Sequence, residues 1–245
     1  MKTDRYRRRF YRDWVNAKDL RLLRIAKSET DIEVLCDKKP DEDFILERIN
    51  SYRWDIENYI SRDRRFLTAL KPIAVELSAP RVIQDMAQAA DRAGVGPMAA
   101  VAGAIAQRLG KDLLKKGYRQ VIIENGGDIF LKTKKSRLVG IYTGKSKLWN
   151  ALKIKIKPKD TPLGICTSSG TVGHSLSFGR ADSVVILSKD VALADAVATA
   201  TANRVRQRQD LQGALMFARG IKGVLGAIII LNNDLISWGK VEFVK

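Results

Sequence analysis

The fold of this chain is organised around residues 163–203, LGICTSSGTVGHSLSFGRADSVVILSKDVALADAVATATAN. The stretch divides into a Gly/Ser/Thr loop at residues 164–173, a β-branched run at 183–187, and an Ala-rich segment with the pattern of a buried helix. The loop leads to His174, the single histidine of the chain, and contains Cys166, one of two cysteines. A plain hydrophobic core does not require so many hydroxyl and titratable side chains, so this stretch is also the first candidate for a functional site.

Asp195 and Thr199 lie four residues apart in the Ala-rich segment, so a helix places both side chains on one face. A carboxylate and a hydroxyl opposite a loop rich in backbone N–H groups suit a hard cation and a phosphate. The spacing alone leaves an alternative open, in which Asp195 caps a helix and Thr199 hydrogen-bonds a carbonyl one turn earlier.

The composition is that of an ordinary globular protein. A chain of 245 residues, 45% hydrophobic and 29% charged, buries a sizeable core as one large domain or two small ones, which excludes the disordered and fibrous classes. No uncharged apolar run approaches the ~20 residues of a membrane span, and the N-terminus lacks the apolar region of a secretory signal, so we expect a cytoplasmic protein without a membrane partner. Cys36 and Cys166, with one histidine, supply neither a disulfide framework nor a classical zinc site.

The net charge of +17 is concentrated in two segments, residues 1–24 (+6) and residues 132–159 (+10, with no acidic residue). Such segments attract polyanions, which makes a basic, non-enzymatic nucleic-acid-binding or partner-binding protein one functional alternative. The second segment also has a simpler interpretation. Leu152, Ile154 and Ile156 alternate with lysines, as in a half-buried strand whose charged side protects a sheet edge, and we favour this interpretation.

Hydrophobic patterns of period 2 and period 3.6 alternate along the chain. They predict a hairpin at 21–39, helices at about 40–70, 80–94 and 98–116, a short strand within 71–77, a hairpin at 121–131, strands at 138–142 and 148–157, helices at 192–207 and 210–219, and an antiparallel meander from 224 to 244. This mixed order predicts an α+β fold with mixed or antiparallel sheets and packed helices. We divide the chain into an N-terminal hairpin and helical region, 1–93, and a ligand-binding region, 94–245, and expect one compact unit.

Four signatures follow one another between residues 94 and 203: a small-residue helix after Gly96, the hairpin VIIENGGDIFL, the loop GICTSSG and the helix ADAVATA. Together they resemble the flavin-transferase (ApbE-like) superfamily, and more closely a branch of it found in archaea and in anaerobic or photosynthetic bacteria. The resemblance implies an ApbE-like fold, FAD or FMN as the ligand, Mg²⁺ beside the pyrophosphate, and transfer of FMN to a Thr or Ser of a partner protein.

The resemblance also implies roles for individual residues. Asp195 and Thr199 match the side-chain ligands of the metal, and Ala99 matches the position whose backbone carbonyl completes the metal site. The cofactor-binding residues, including two polar neighbours that we add from the sequence itself (Asn125 and Arg180), are Asn125, Gly126, Gly127, Asp128, Thr167, Ser168, Ser169 and Arg180. A plain type I′ turn explains the two glycines without any ligand, so that alternative stays open.

The chain departs from the family pattern at two places. The family's Asp and Lys that contact the flavin nucleotide correspond here to Gly96 and Ala102, and the run Asp-Pro-x-Thr-Gly expected after the histidine is replaced by SLSFGR after His174. Losing one charge-assisted contact of ~1.5–3 kcal/mol predicts weaker FAD binding. The expected transferase activity therefore rests on the resemblance in fold and not on the site residues. We expect the site to be rebuilt around Cys166, His174 and Arg180.

Cys166 and His174 are the candidate catalytic pair. Nearby cations and backbone amides lower a thiol pKa, which makes Cys166 a candidate nucleophile and His174 its acid–base partner. In the alternative, Cys166 is a small buried residue at a strand end. The branch is also associated, at family level, with sulfur assimilation toward homocysteine, with which a thiol-dependent or accessory protein is compatible. The candidate partners are a nucleotide or flavin, a partner protein and a second copy of the chain, with nucleic acid less favoured.

Overall fold

The computed structural model describes residues 17–27, 30–141, 143, 152–169 and 179–244. Its strands are β1 (Arg21–Lys27), β2 (Thr30–Cys36), β3 (Val121–Asn125), β4 (Asp128–Lys132), β5 (Arg137–Gly140), β6 (Lys153–Ile156), β7 (Leu163–Ser168), β8 (Ser183–Ser188), β9 (Val224–Leu231), β10 (Asp234–Gly239) and β11 (Phe243–Val244). They form an eight-stranded sheet in the order β1-β2-β3-β4-β7-β8-β9-β10 and a three-stranded sheet in the order β11-β6-β5. Every pairing within the described residues is antiparallel, which confirms the predicted α+β class.

The helices are α1 (Glu42–Arg62), α2 (Arg65–Thr68), α3 (Arg81–Ala93), α4 (Val101–Lys115), α5 (Val191–Ala202) and α6 (Asp210–Gly220), with short 3-10 helices at Pro97–Ala100 and Pro158–Asp160. Gly94 ends α3 with a φ of 72°, as the sequence predicted, whereas Pro80, predicted in the first turn, is the N-cap residue just before the helix. Among the described residues, no helix has both the length and the hydropathy needed to cross a bilayer.

The large sheet has two apolar faces because hydrophobic side chains occupy both sides of its central strands. In β8, Val184 and Ile186 pack with the helices, whereas Val185 and Leu187 pack with the small sheet. Helices α3, α4 and α5 belong to the first of these two cores. The described chain is therefore layered as helices, large sheet and small sheet.

Helix α5 is buried on almost every side because it contacts β7, β8, α3 and α4. Two glycines make this close packing possible. A Cβ at Gly103 of α4 would lie 2.6 Å from the carbonyl oxygen of Val191, and a Cβ at Gly164 of β7 would lie 2.8 Å from the Cα of Val191. The packing of α5 on α4 and β7 therefore requires glycine at positions 103 and 164.

Two secondary-structure predictions were wrong: one predicted strand is absent, and one helix is shorter than predicted. Residues 71–77 contain no strand, and Ile73 packs against the helical core instead. The helix predicted over 192–207 ends at Ala202, where the backbone of Gly179 crosses so closely that a Cβ there would lie 1.8 Å from the carbonyl oxygen of Ala202. A helix that continued straight on would meet this crossing chain.

The predicted C-terminal meander was correct for β9 and β10 and wrong for the last strand. Gly239 adopts a φ of 87°, and the chain then turns so that β11 pairs with β6 in the small sheet. β6 is therefore the central strand of that sheet, and the prediction that its lysines protect a sheet edge was wrong. The lysines do lie on its more exposed side, where Lys155 and Lys157 approach Glu242 at 3.8 and 2.5 Å.

Acidic residues from distant parts of the chain neutralise some of the basic segment 132–159. Arg137 is buried, and its guanidinium forms two contacts with the Asp19 carboxylate, at 2.5 and 3.1 Å. Lys135 adds a third contact to the same carboxylate at 3.1 Å. Hydrogen bonds from these two cations hold the pKa of Asp19 well below its ordinary value. The other basic segment, 1–24, is described from residue 17 onward.

Strand β2 hydrogen-bonds strand β3, so the N-terminal hairpin belongs to the same sheet as the strands of the second predicted region. Helices α1 and α3, which lie between β2 and β3 in the sequence, pack on α4 over one face of that sheet. The boundary between residues 93 and 94 stays a prediction.

Candidate functional site

The hairpin turn between β3 and β4 is held against the first turn of α4. Gly126 and Gly127 have φ of 68° and 102°, the left-handed values of a type I′ turn, which glycine adopts without strain. The side-chain amide of Asn125 donates to the carbonyl oxygen of Ala102 at 3.1 Å. The backbone N–H of Gly127 donates to the Glu124 carboxylate at 2.8 Å. The turn is therefore positioned by side chains on both sides of it.

Asp128 begins β4 directly opposite Cys166 of β7 in the antiparallel register. The Asp128 side chain is buried, and no described group donates a hydrogen bond to its Oδ1 atom. Burial raises the pKa of Asp128 well above its ordinary value, and the nearby Asp195 carboxylate raises it further. A buried carboxyl oxygen with no donor, beside a second carboxyl group, is the most unusual feature of the site.

Asp195 of α5 contacts the N-terminal end of α4. Its Oδ2 atom accepts a hydrogen bond from the backbone N–H of Gly103 at 2.9 Å. Burial raises the pKa of Asp195 to about 7, although the N–H groups of Gly103 and Ala102 act in the opposite direction. Thr199 is buried one turn further along the same helix. The 3-10 helix that carries Ala99 packs against α5, so the elements of the predicted metal site are neighbours.

The hydroxyl residues at the end of β7 adjoin the Gly-Gly turn. A Cβ at Gly127 would lie 3.9 Å from the Cβ of Thr167, an ordinary van der Waals distance. Ser168 is buried, and its Oγ has no hydrogen-bond partner among the described residues. Ser169 follows at the end of the strand and is half-buried. The predicted cofactor-binding residues of the turn and of the Ser/Thr loop therefore occupy adjacent strand ends.

The Cys166 thiol lies in an anionic environment rather than the cationic one that the sequence suggested. It is fully buried, and its Sγ donates to the carbonyl oxygen of Val191 at 3.4 Å. Burial raises the pKa of the Cys166 thiol well above its ordinary value, and the carboxylates of Asp128 and Asp195 raise it further. These surroundings favour the neutral thiol, so they do not activate Cys166 as a nucleophile.

Arg180, another predicted residue of the rebuilt site, does not join this cluster. Arg180 is exposed, its backbone N–H donates to the carbonyl oxygen of Val205 at 2.7 Å, and the charged groups that act on the Cys166 thiol are acidic. His174 lies outside the described residues, as do residues 170–173 of the loop before it. The catalytic pairing of Cys166 with His174 stays a prediction.

Gly96 is the residue that the resemblance matches to an Asp of the flavin transferases, and its surroundings leave no room for a side chain. A Cβ at this position would lie 1.7 Å from the carbonyl oxygen of Ala69, just after α2. The backbone therefore occupies the space that a side chain would need. The carbonyl oxygen of Ala102, the residue that the resemblance matches to a Lys, accepts the hydrogen bond that fixes Asn125.

Sequence reasoning missed three residues that shape the site. Glu124 is a buried acid that directly follows the apolar residues 121–123 of β3, which was a usable signal. Gln107 is buried in α4 and accepts a hydrogen bond from the backbone N–H of Val191 at 2.7 Å, which orients the start of α5. Gly103 donates its backbone N–H group to Asp195, and no sequence pattern predicts this contact. Among the described residues, no group of three or more acidic, histidine or cysteine side chains could hold a metal ion. The predicted metal site is of another kind, because its ligands are one carboxylate (Asp195), the hydroxyl of Thr199 and the backbone carbonyl of Ala99.

The chain matches the protein-family model described as AbpE bacteria over residues 12–232. It is 41% identical over 212 residues to a UPF0280 protein of Methanocella arvoryzae, covering 86% of each chain. It is 47% identical over 209 residues to a UPF0280 protein of Methanospirillum hungatei, covering 84% of this chain and 85% of that one.

Two solved structures share the fold. The flavin transferase ApbE from Vibrio cholerae is 14% identical with a TM-score of 0.58, covering 89% of this chain and 96% of that one. The flavinyl transferase ApbE of Pseudomonas stutzeri, in its apo form, is 12% identical with a TM-score of 0.56, covering 90% of this chain and 95% of that one. At these identities the likeness concerns the fold alone.

Proposed function

This chain belongs to the AbpE bacteria family, and from that membership we propose that it binds a flavin-type nucleotide together with Mg²⁺ and transfers the flavin nucleotide to a partner protein. The observation that carries the proposal is the meeting of three elements at one point. The Gly-Gly turn, the hydroxyl end of β7 and the face of α5 that bears Asp195 converge around the buried, donor-free oxygen of Asp128.

The donor set fits a divalent cation. Asp195, Thr199 and the carbonyl of Ala99 would supply oxygen ligands, the type that Mg²⁺ prefers. Burial raises the pKa of both Asp128 and Asp195, and the charge of Asp195 raises that of Asp128 further, so a positive charge between these two carboxylates would stabilise both. When bound, Mg²⁺ would neutralise charge on phosphate oxygens of the nucleotide.

The strand ends supply the remaining contacts for a nucleotide. Gly126 and Gly127 have no side chains that would keep a ligand from the backbone of the turn. Thr167 lies beside that turn, and the hydroxyl group of Ser168, the next residue of β7, has no partner among the described residues and is free to bond a ligand. The buried Cys166 thiol then serves to fill the floor of the site, between β7 and α5.

Calorimetric titration of the full-length protein with FAD, FMN and ADP, each with and without Mg²⁺, tests the proposal. We expect saturable binding that requires Mg²⁺, because the cation offsets repulsion between phosphates and carboxylates. Asp195→Asn removes a charged ligand and is expected to weaken binding at least about tenfold, since one charge-assisted contact is worth ~1.5–3 kcal/mol. A transferase also predicts Mg²⁺-dependent release of AMP from FAD.

Asp190→Asn is the matched control. Asp190 caps the same helix α5 by accepting from the N–H of Leu193 at 3.2 Å, and Asn caps a helix equally well. Binding should be unchanged in this variant. If none of the three nucleotides binds at millimolar concentration in either metal state, the proposal is wrong.

A further inference from the structure

A small pocket lies on the opposite side of the large sheet from the helices. Lys155 of β6, Lys189 after β8 and Lys240 after β10 line it, over a floor that includes Leu163 and Leu225. We call it the lysine pocket. Its internal volume is about 40 Å³, enough for a group of a few heavy atoms and too small for a whole nucleotide.

The lysine pocket is separate from the site around Asp128. Leu163 is the first residue of β7, and Cys166, which pairs with Asp128, is the fourth, so the two sites are three residues apart along one strand, about 10 Å at ~3.3 Å per residue. They also lie on different faces, since Leu163 packs in the core between the two sheets whereas Cys166 packs in the helical core.

Positive charge exceeds negative charge around the lysine pocket. The titratable groups that face it or its lysines are Lys132, Lys155, Lys157, Lys189, Lys240, Asp160 and Glu242. Glu242 is shared between two of these lysines, and its contact with Lys155 is long, 3.8 Å. Lys189 donates to the backbone carbonyl of Asp160, which carries no charge. Five cations thus face two anions.

The neighbouring positive charges change the pKa of Lys189. Burial lowers the pKa of Lys189, and the charges of Lys240 and Lys132 lower it further, against the opposing effect of Asp160. Among the described residues, Lys240 forms no ion pair. An arrangement of amines that repel one another around an open space is stabilised when an anion enters it.

We propose that the lysine pocket binds a single phosphate group, held by the amines of Lys155, Lys189 and Lys240. Lysine amines bind phosphate as point charges with freely oriented donors, so three of them around a small space suit a tetrahedral dianion. The group comes either from free inorganic phosphate or from the exposed end of a phosphorylated small molecule. The inference does not depend on flavin binding at the first site.

Titration of the full-length protein with inorganic phosphate at low ionic strength tests the inference, with ribose 5-phosphate as the second probe. We expect saturable binding in wild type and at least about tenfold weaker binding in Lys189→Gln/Lys240→Gln. Tighter binding of the sugar phosphate than of free phosphate assigns the site to a phosphorylated small molecule, and the reverse order assigns it to free phosphate.

Lys111→Gln/Lys115→Gln is the matched control, because it removes the same charge from exposed positions on α4 in the helical layer. Phosphate binding should be unchanged in this variant and in Asp195→Asn, which separates this inference from the proposed function. An equal loss of affinity in both lysine pairs shows a general charge effect and overturns the proposal. So does the absence of saturable phosphate binding to wild type at tens of millimolar.

Discussion

The Asp195 carboxylate of α5 accepts a hydrogen bond from the backbone N–H of Gly103 in the first turn of α4, with 2.9 Å between Oδ2 and N. First-turn N–H groups have no partner within their own helix, so Asp195 caps a neighbouring helix. Asp195 does cap a helix, as in the alternative interpretation of the sequence, but the capped helix is α4 and not its own helix α5. A role as metal ligand would use the other carboxylate oxygen.

Two substitutions at Asp195 should separate these roles. Asp195→Asn keeps an acceptor for the Gly103 N–H, so we expect near-normal stability without Mg²⁺ and loss of any Mg²⁺-dependent rise in Tm. Asp195→Ala removes the cap and should lower the free energy of unfolding by about 0.5–2 kcal/mol. Urea unfolding and thermal melts with and without Mg²⁺ measure both effects. Equal stability of the Ala variant and wild type would contradict the capping role.

Gly103→Ala tests the close packing of α4 on α5. The added methyl group would lie 2.6 Å from the carbonyl oxygen of Val191, so the helices must move apart, at a cost of about 1–3 kcal/mol in the free energy of unfolding. Gly213→Ala in α6 is the control, because nothing lies within 4 Å of its Cβ position. That change should stabilise the protein by about 0.5–1 kcal/mol through helix propensity. Similar unfolding curves for the two variants would show that the contact with Val191 has no effect.

Both cysteines should be unreactive in the folded protein. Burial raises the pKa of Cys36 to about 11, and burial with two nearby carboxylates raises the pKa of Cys166. A thiol reagent at pH 8 should therefore react slowly with native protein and rapidly with both thiols in urea. Cys36→Ser isolates the Cys166 signal. Fast reaction of Cys166 in that folded variant would support the thiol-dependent alternative.

The ion pair of Asp19 with Arg137 should make stability depend on acid pH. Because the folded-state pKa of Asp19 is lowered, its contribution is present above the ordinary Asp value of about 3.9 and is lost as pH falls toward the folded-state value. Asp19→Asn should reduce the free energy of unfolding by about 1–2 kcal/mol at pH 7, after allowance for the partial exposure of Asp19.

Urea unfolding of wild type and Asp19→Asn between pH 3 and pH 7 measures this effect. The difference between the two proteins should shrink below about pH 4, because the Asp19 carboxylate of the unfolded chain then takes up a proton that the folded protein binds only at lower pH. Asp91→Asn, at an exposed position of α3, is the control, because it removes an acidic side chain without changing the Asp19–Arg137 pair. A difference that stays constant down to pH 3 would contradict the assigned pKa shift.

Several parts of the fold were predictable because residues close in sequence decide them. Pro80 and Gly94 bound α3, and Gly126 with Gly127 form the left-handed turn of the β3–β4 hairpin. Each depends on backbone preferences within a few residues. The ordered signatures also led to the correct family. The metal and cofactor residues that they imply lie on neighbouring elements, and their roles stay predictions.

The sequence by itself determined the α+β class and the position of most strands and helices, since the period of the hydrophobic pattern is a local property. Only the tertiary structure decided which charges meet. The register of β4 on β7 puts Asp128 opposite Cys166, which reverses the sign expected for the pKa shift of the thiol. Asp19 neutralises Arg137 across 118 positions of the chain. Desolvation and charge pairing depend on distances in space, and packing sets those distances between residues that are far apart in sequence.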